Sequence, residues 1–190
     1  MDPSKLRKEL CGVYSADEIQ AIDDAFGFVT GLSEQERVSD MSHLFNIAVI
    51  LAAEKADSLT MVIGLLHHIF EDGASTFENL ENRFGKQTAY AVEALTMAPY
   101  LSPPDTMVRL SQLKGREDEC SYRLRVIGVK IACRLDRMRR IEEVTKGKQV
   151  SIARETRDVY VDLAVLMGMY GIADELDKRA KDIIDRENSQ

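Results

Sequence analysis

Apolar residues recur along this chain at three- and four-residue intervals, segment after segment, with turn-forming residues between. Ile19, Ile22, Phe26 and Val29 fall on one helical face, and Ser15-Ala-Asp-Glu18 ahead of them has the spacing of a capping box. Residues 31–42 are polar and irregular and predict a loop. The helical pattern returns over 43–55, where Leu44, Ile47, Ala48 and Leu51 share a face. Asp57 or Ser58 caps the next helix, predicted to run over 59–72 and to stop at Gly73. Thr76 opens a short acidic helix ending near Gly85, and 86–97 forms another with Ala89, Val92 and Leu95 inward. The segment 98–104 holds three of the four prolines, cannot be regular helix throughout, and is a candidate active-site loop. Residues 119–143 predict a long helix with Leu124, Ile127, Val129, Ile131, Ala132 and Leu135 as its apolar surface. Lys146-Gly-Lys148 is expected to break it. Ser151–Met167 and Ile172–Ile184 complete an all-α chain.

Composition agrees. Glycine (11) and proline (4) are scarce in 190 residues, and strand-like alternation is hard to find. Hydrophobic content of 45% and charged content of 30% describe a globular chain, long enough for one domain over 1–190 with a real core. No internal repeat or low-complexity tract interrupts it. The net charge of −7 argues against sequence-general nucleic-acid binding. Arg134, Arg137, Arg139 and Arg140 form a basic run that reads as a solvated helix face or as a local anion site. Three cysteines (Cys11, Cys120, Cys133) do not suggest a disulfide framework. The charged start has no apolar core of a signal peptide, and no apolar run approaches the roughly 20 residues of a membrane span. A cytoplasmic location without membrane attachment is the expectation.

The densest chemistry lies in Leu-Leu-His-His-Ile-Phe-Glu-Asp over 65–72, which holds two of the three histidines; His43 is the third. On one helix, His68, Glu71 and Asp72 would stand about 100°, 40° and 140° from His67, all on one side. Imidazoles and carboxylates at the end of an apolar segment need partners, and a metal ion satisfies several together.

The segment from Ser42 through Phe84-Gly85, with Val129-Lys-Ile-Ala-Cys-Arg-Leu-Asp-Arg-Met-Arg139 and Arg154-Glu-Thr-Arg-Asp-Val-Tyr160 after it, resembles the HD-domain phosphohydrolases. Within them it is most similar to the RelA/SpoT-type domain that removes pyrophosphate from guanosine tetra- and pentaphosphate. The likeness runs in unbroken order over about residues 20–180. It implies a compact bundle of about ten helices around one divalent ion, manganese in the family. Carried over, His43 and His67 match metal ligands, Glu71 and Asp72 match the pair that orients or deprotonates the attacking water, and Arg134 follows the last ligand. A guanosine polyphosphate or related nucleotide is the implied partner.

The chain departs from the family at chosen points. His68 stands where the family has the aspartate of its His-Asp pair, and Cys133 where it has its last aspartate ligand. Arg137 replaces an asparagine near the nucleotide, Leu44 follows the first histidine in place of proline, and Arg37-Val38 is the counterpart of an Arg-Lys pair. Arg37, Arg134 and Arg137 are therefore the candidate phosphate-binding residues. The nominal ligand set His43, His67, His68 and Cys133 is nitrogen and sulfur, which suits zinc or iron better than manganese. Asp136, one turn past Cys133, is a candidate oxygen donor. Two readings follow: an active metal-dependent phosphohydrolase, or a catalytically silent relative that binds nucleotide as a regulatory module.

Overall fold

The computed structural model describes residues 6, 10–32, 41–97 and 117–188. Among these residues every regular element is a helix and no strand occurs. In chain order they are α1 (Ala16–Thr30), α2 (Met41–Ala53), α3 (Ser58–Leu66), α4 (Phe77–Phe84), α5 (Lys86–Met97), α6 (Glu117–Arg139), a 3-10 turn (Ile141–Glu143), α7 (Lys146–Glu155), a π-helical turn (Thr156–Tyr160), α8 (Val161–Leu166) and α9 (Tyr170–Asn188). No helix among the described residues is long and apolar enough to cross a membrane. Arg37 and the proline-bearing segment 98–104 lie outside the described residues. The chain divides into two compact units, one ending at Val129 and one beginning at Lys130.

The first unit is organised around α3. This helix is apolar on every side, and Thr60 through Leu66 are all buried. A helix without a polar face must be covered all round, and α1, α2 and α5 each pack against it. Ile22, Ala25 and Val29 form the buried stripe of α1, while α2 buries Leu44, Ile47, Ala48 and Leu51. Each fully buried leucine or isoleucine contributes about 2 kcal/mol through removal from water. The predicted caps are in place. Ser15 and Glu18 form a reciprocal capping box, and Thr76 and Gly85 bound α4. Asp57 caps α3 by accepting from the Thr60 amide at 3.1 Å. Arg125 of α6 reaches the same carboxylate at 2.9 Å. Partial burial alone would raise the Asp57 carboxyl; the Arg125 and Thr60 bonds outweigh it and hold it below the ordinary carboxylate range.

The helix that carries the histidine pair is shorter than its periodicity predicts. Regular helix ends at Leu66 rather than Asp72, and residues 67–73 continue as successive turns. Ile69 N–H donates to the Leu66 carbonyl at 3.0 Å and Asp72 N–H to that of His68 at 3.0 Å. Side-chain bonding to helix carbonyls competes with continued backbone pairing, and the Gly64 carbonyl accepts from the His67 imidazole. Gly73 then adopts φ +67°, which lets Ala74 N–H return to the Ile69 carbonyl at 2.9 Å.

In the second unit, Ile172, Ala173, Leu176, Ala180 and Ile183 give α9 its buried stripe. It packs against α7, α8 and the π-helical turn. Contrary to expectation, Lys146-Gly-Lys148 does not break a helix but opens α7. The break falls at Arg140–Thr145, where Val144 is extended. Gly147 sits in a first turn, whose N–H groups have no intrahelical partner to lose. Leu124, expected on the apolar surface of α6, is 46% exposed. Single exposed leucines are ordinary.

Glu175 of α9 takes two bonds from Arg139 (2.9 and 2.7 Å) and one from Arg179 (2.7 Å). The Arg139 bonds, against partial burial and with help from Arg179, lower its carboxyl from 4.5 to about 2. A carboxylate depressed on folding contributes stability above its unfolded value and loses it as pH falls through the folded one. The second unit should therefore lose on the order of 1 kcal/mol, after solvent screening, on acidification. The loss should fall between pH 4.5 and about 2. Acid titration of Glu175→Gln, followed by circular dichroism, should show that step missing.

Candidate functional site

The end of α3 and the first turn of α2 bring the three imidazoles together. Ring centroids lie 5.3 Å apart for His43 and His67, 5.4 Å for His43 and His68, and 4.1 Å for His67 and His68. His43 and His67 present ligand nitrogens within 4.8 Å of one another. The C-terminus of α3 adds the negative end of its macrodipole, which favours a cation there.

His67 is 5% exposed, and its Nδ1 lies 2.7 Å from the Gly64 carbonyl oxygen. A carbonyl only accepts, so Nδ1 carries the proton, and in the neutral ring Nε2 keeps the lone pair. This backbone anchor fixes both tautomer and ring direction, as it does for metal-ligating histidines. His68 has a different partner. Its Nδ1 donates to Glu71 Oε2 at 2.8 Å across one turn of backbone, both side chains being about one third exposed. Glu71 is thus tied to His68. Asp72, beside it, is half-buried.

The remaining candidates lie on α6. Cys133 is half-buried in the second unit. Asp136 is 1% exposed and its Oδ2 stands 3.3 Å from Arg140 Nε, so that its charge is met by an arginine. Arg137 is exposed. Arg134 is enclosed within its own unit. Its Nη2 bonds Glu155 Oε2 at 2.8 Å, its Nη1 lies 3.4 Å from the Ile152 carbonyl and the Thr156 hydroxyl, and its guanidinium stacks 4.0 Å above the Tyr160 ring. These bonds clamp the π-helical turn. Thr156 shapes that turn by donating its hydroxyl to Ile152 O at 2.6 Å, and Val161 N–H reaches back five residues to Thr156 O.

The sequence reading passed over Gly64. A Cβ there would lie 2.8 Å from Leu51 Cδ1 and 3.2 Å from Ile47 Cγ2, so only glycine lets α2 approach the backbone that anchors His67. The signal was present: an isolated glycine inside an apolar helical run marks close backbone approach.

Comparison with known proteins places this geometry in a family. An HD-domain family model matches residues 21–170. A GTP pyrophosphokinase rsh of Brucella ovis is 34% identical over 140 residues, 73% of this chain and 19% of that protein. A guanosine-3′,5′-bis(diphosphate) 3′-pyrophosphohydrolase of Aquifex aeolicus is 33% identical over 138 residues, 71% of this chain and 19% of that protein. The match spans about a fifth of the length of these relatives. A solved structure described as a metazoan orthologue of SpoT that hydrolyses ppGpp superposes with a TM-score of 0.52, at 20% identity over 92% of this chain and 97% of that one, which speaks to the fold. With its helical architecture, its histidine cluster and these matches, the chain belongs to the HD-domain family and is homologous to its RelA/SpoT-type members.

Proposed function

We propose that this protein is a metal-dependent phosphohydrolase that removes pyrophosphate from a guanosine polyphosphate or a related nucleotide. The observation that carries the reading is the convergence of His43 and His67, with donor nitrogens within 4.8 Å, next to Glu71 and Asp72. His67 is oriented for ligation by the Gly64 carbonyl. The family resemblance puts Cys133 at the position of a further ligand.

Imidazole and thiolate donors fit a borderline ion, zinc or iron, better than manganese. When bound, such an ion supplies Lewis-acid polarisation of a phosphoryl oxygen. The chain's own part is positional. In this reading His43 and His67 hold the ion, and Glu71, held by His68, accepts a proton from the attacking water, with Asp72 next to it in the chain. Arg37 and Arg137 are the candidate phosphate contacts. Arg134, committed to Glu155 and Tyr160, acts instead by shaping the π-helical turn.

One observation favours a second reading, a silent relative that binds nucleotide without cleaving it. Glu71 already accepts from His68, where the family keeps an aspartate. A hydrolysis assay with guanosine tetraphosphate in manganese, zinc and iron separates the two. Pyrophosphate release in zinc or iron supports the enzyme; binding without release in any of the three supports the silent form. The double substitution His68→Asp with Cys133→Asp restores two hard oxygen donors and should raise manganese affinity by at least about tenfold. Unchanged manganese uptake, read by elemental analysis, would show that a carboxylate at one of these two positions does not reach the ion.

A further inference from the structure

A cavity of about 430 Å³ opens in the first unit between α1, α3, α4 and α5. None of the histidines lines it: its α3 wall is Ser58, Leu59 and Val62, and the nearest of these, Val62, lies five residues, roughly 7.5 Å along the axis, from His67. The volume is that of a small-molecule site. Its lining is apolar at Leu59, Val62 and Phe84 and carries two opposite charges, Asp24 and Arg83.

The two charges form no ion pair with each other. The Arg83 guanidinium lies 4.5 Å over the Phe28 ring and 5.6 Å from that of Phe84. This stacking orients the fork on aromatic surface. Asp24, one turn before Phe28 on α1, accepts from the Gln20 amide at 2.8 Å. Among the described residues neither group has an oppositely charged partner, although both line the same cavity.

Asp24 and Arg83 are both exposed, so water solvates them until a ligand displaces it, and a ligand gains most by answering both charges. A phosphate or other dianion would meet Arg83 but be repelled by Asp24. A hydrocarbon would cover both charges and compensate neither. A zwitterion with an apolar body answers all three features. Its carboxylate would take the planar fork of Arg83, its ammonium the carboxylate of Asp24, and its body the surface of Leu59, Val62 and Phe84. We infer that this cavity is a binding site for a free α-amino acid with an apolar side chain, independent of the histidine cluster.

Titration calorimetry on the full chain with leucine and phenylalanine tests this. Both should bind, while leucinamide, which lacks the carboxylate, and N-acetylleucine, which lacks the ammonium, should each bind at least about tenfold more weakly. Arg83→Gln and Asp24→Asn should each weaken leucine by a similar factor and leave bound-metal content unchanged. If Arg83→Gln does not fold, Asp24→Asn and the two analogues still decide the question. Absence of binding by both amino acids, or N-acetylleucine binding as well as leucine, overturns the inference.

Discussion

Gly64→Val should lower the stability of the first unit by about 3 kcal/mol, the upper range for overpacking a closed core. The added atoms would start from a Cβ only 2.8 Å from Leu51 Cδ1 and 3.2 Å from Ile47 Cγ2, and both of those side chains are fully buried. Both are 0% exposed, so any movement must be taken up within the packed core. Gly64→Ala meets the same first contact but gains up to about 1 kcal/mol of helix propensity, so its loss should be smaller. Urea denaturation of chelator-treated protein measures both without a contribution from bound metal. A second consequence is chemical. The Gly64 carbonyl orients His67, so a displaced backbone turns the imidazole away from His43, and metal affinity should fall with stability. A Gly64→Val protein as stable as its parent would show that Ile47 and Leu51 yield, and the close approach of α2 and α3 would lose its role.

Much of the architecture was legible because local chemistry and tertiary packing agree. The capping box at Ser15, the Asp57 and Thr76 caps and the Gly85 stop each mark a helix end where the structure has one. The misreading at Leu66 has a physical cause. Residues 67–72 keep helical spacing and contain no glycine or proline, so nothing local announces that the His67 side chain takes a helix carbonyl. The turn places His68 against Glu71 and so gives the two adjacent imidazoles different hydrogen-bond partners, which periodicity alone cannot do. Nor could the sequence show that Arg134 is occupied: Glu155, Thr156 and Tyr160 lie more than twenty residues downstream and meet it only through folding. Arg83 was invisible for the same reason, since the Phe28 ring beneath it comes from a different helix.

His67→Ala should reduce divalent-metal affinity by at least about a hundredfold, more than loss of an outer hydrogen-bond partner costs a metal site. His67 is buried and anchored, 5% exposed and bonded through Nδ1 to Gly64. Its Nε2 is the donor that its tautomer leaves for a ligand. His68→Ala supplies the contrast. That ring bonds Glu71 and is about 29% exposed, so its removal should cost affinity only about tenfold, as an outer partner would, while freeing the Glu71 carboxylate. Elemental analysis after purification without chelator, followed by competition with a fluorescent zinc chelator, gives both numbers without recourse to activity. The ordering matters more than either value. Equal losses for the two variants would put His68 in the ligand shell alongside His67, and the His68–Glu71 bond would then orient a ligand rather than a base. Retention of metal by His67→Ala would leave His43 without its nearest anchored partner, and the site would have to be sought elsewhere.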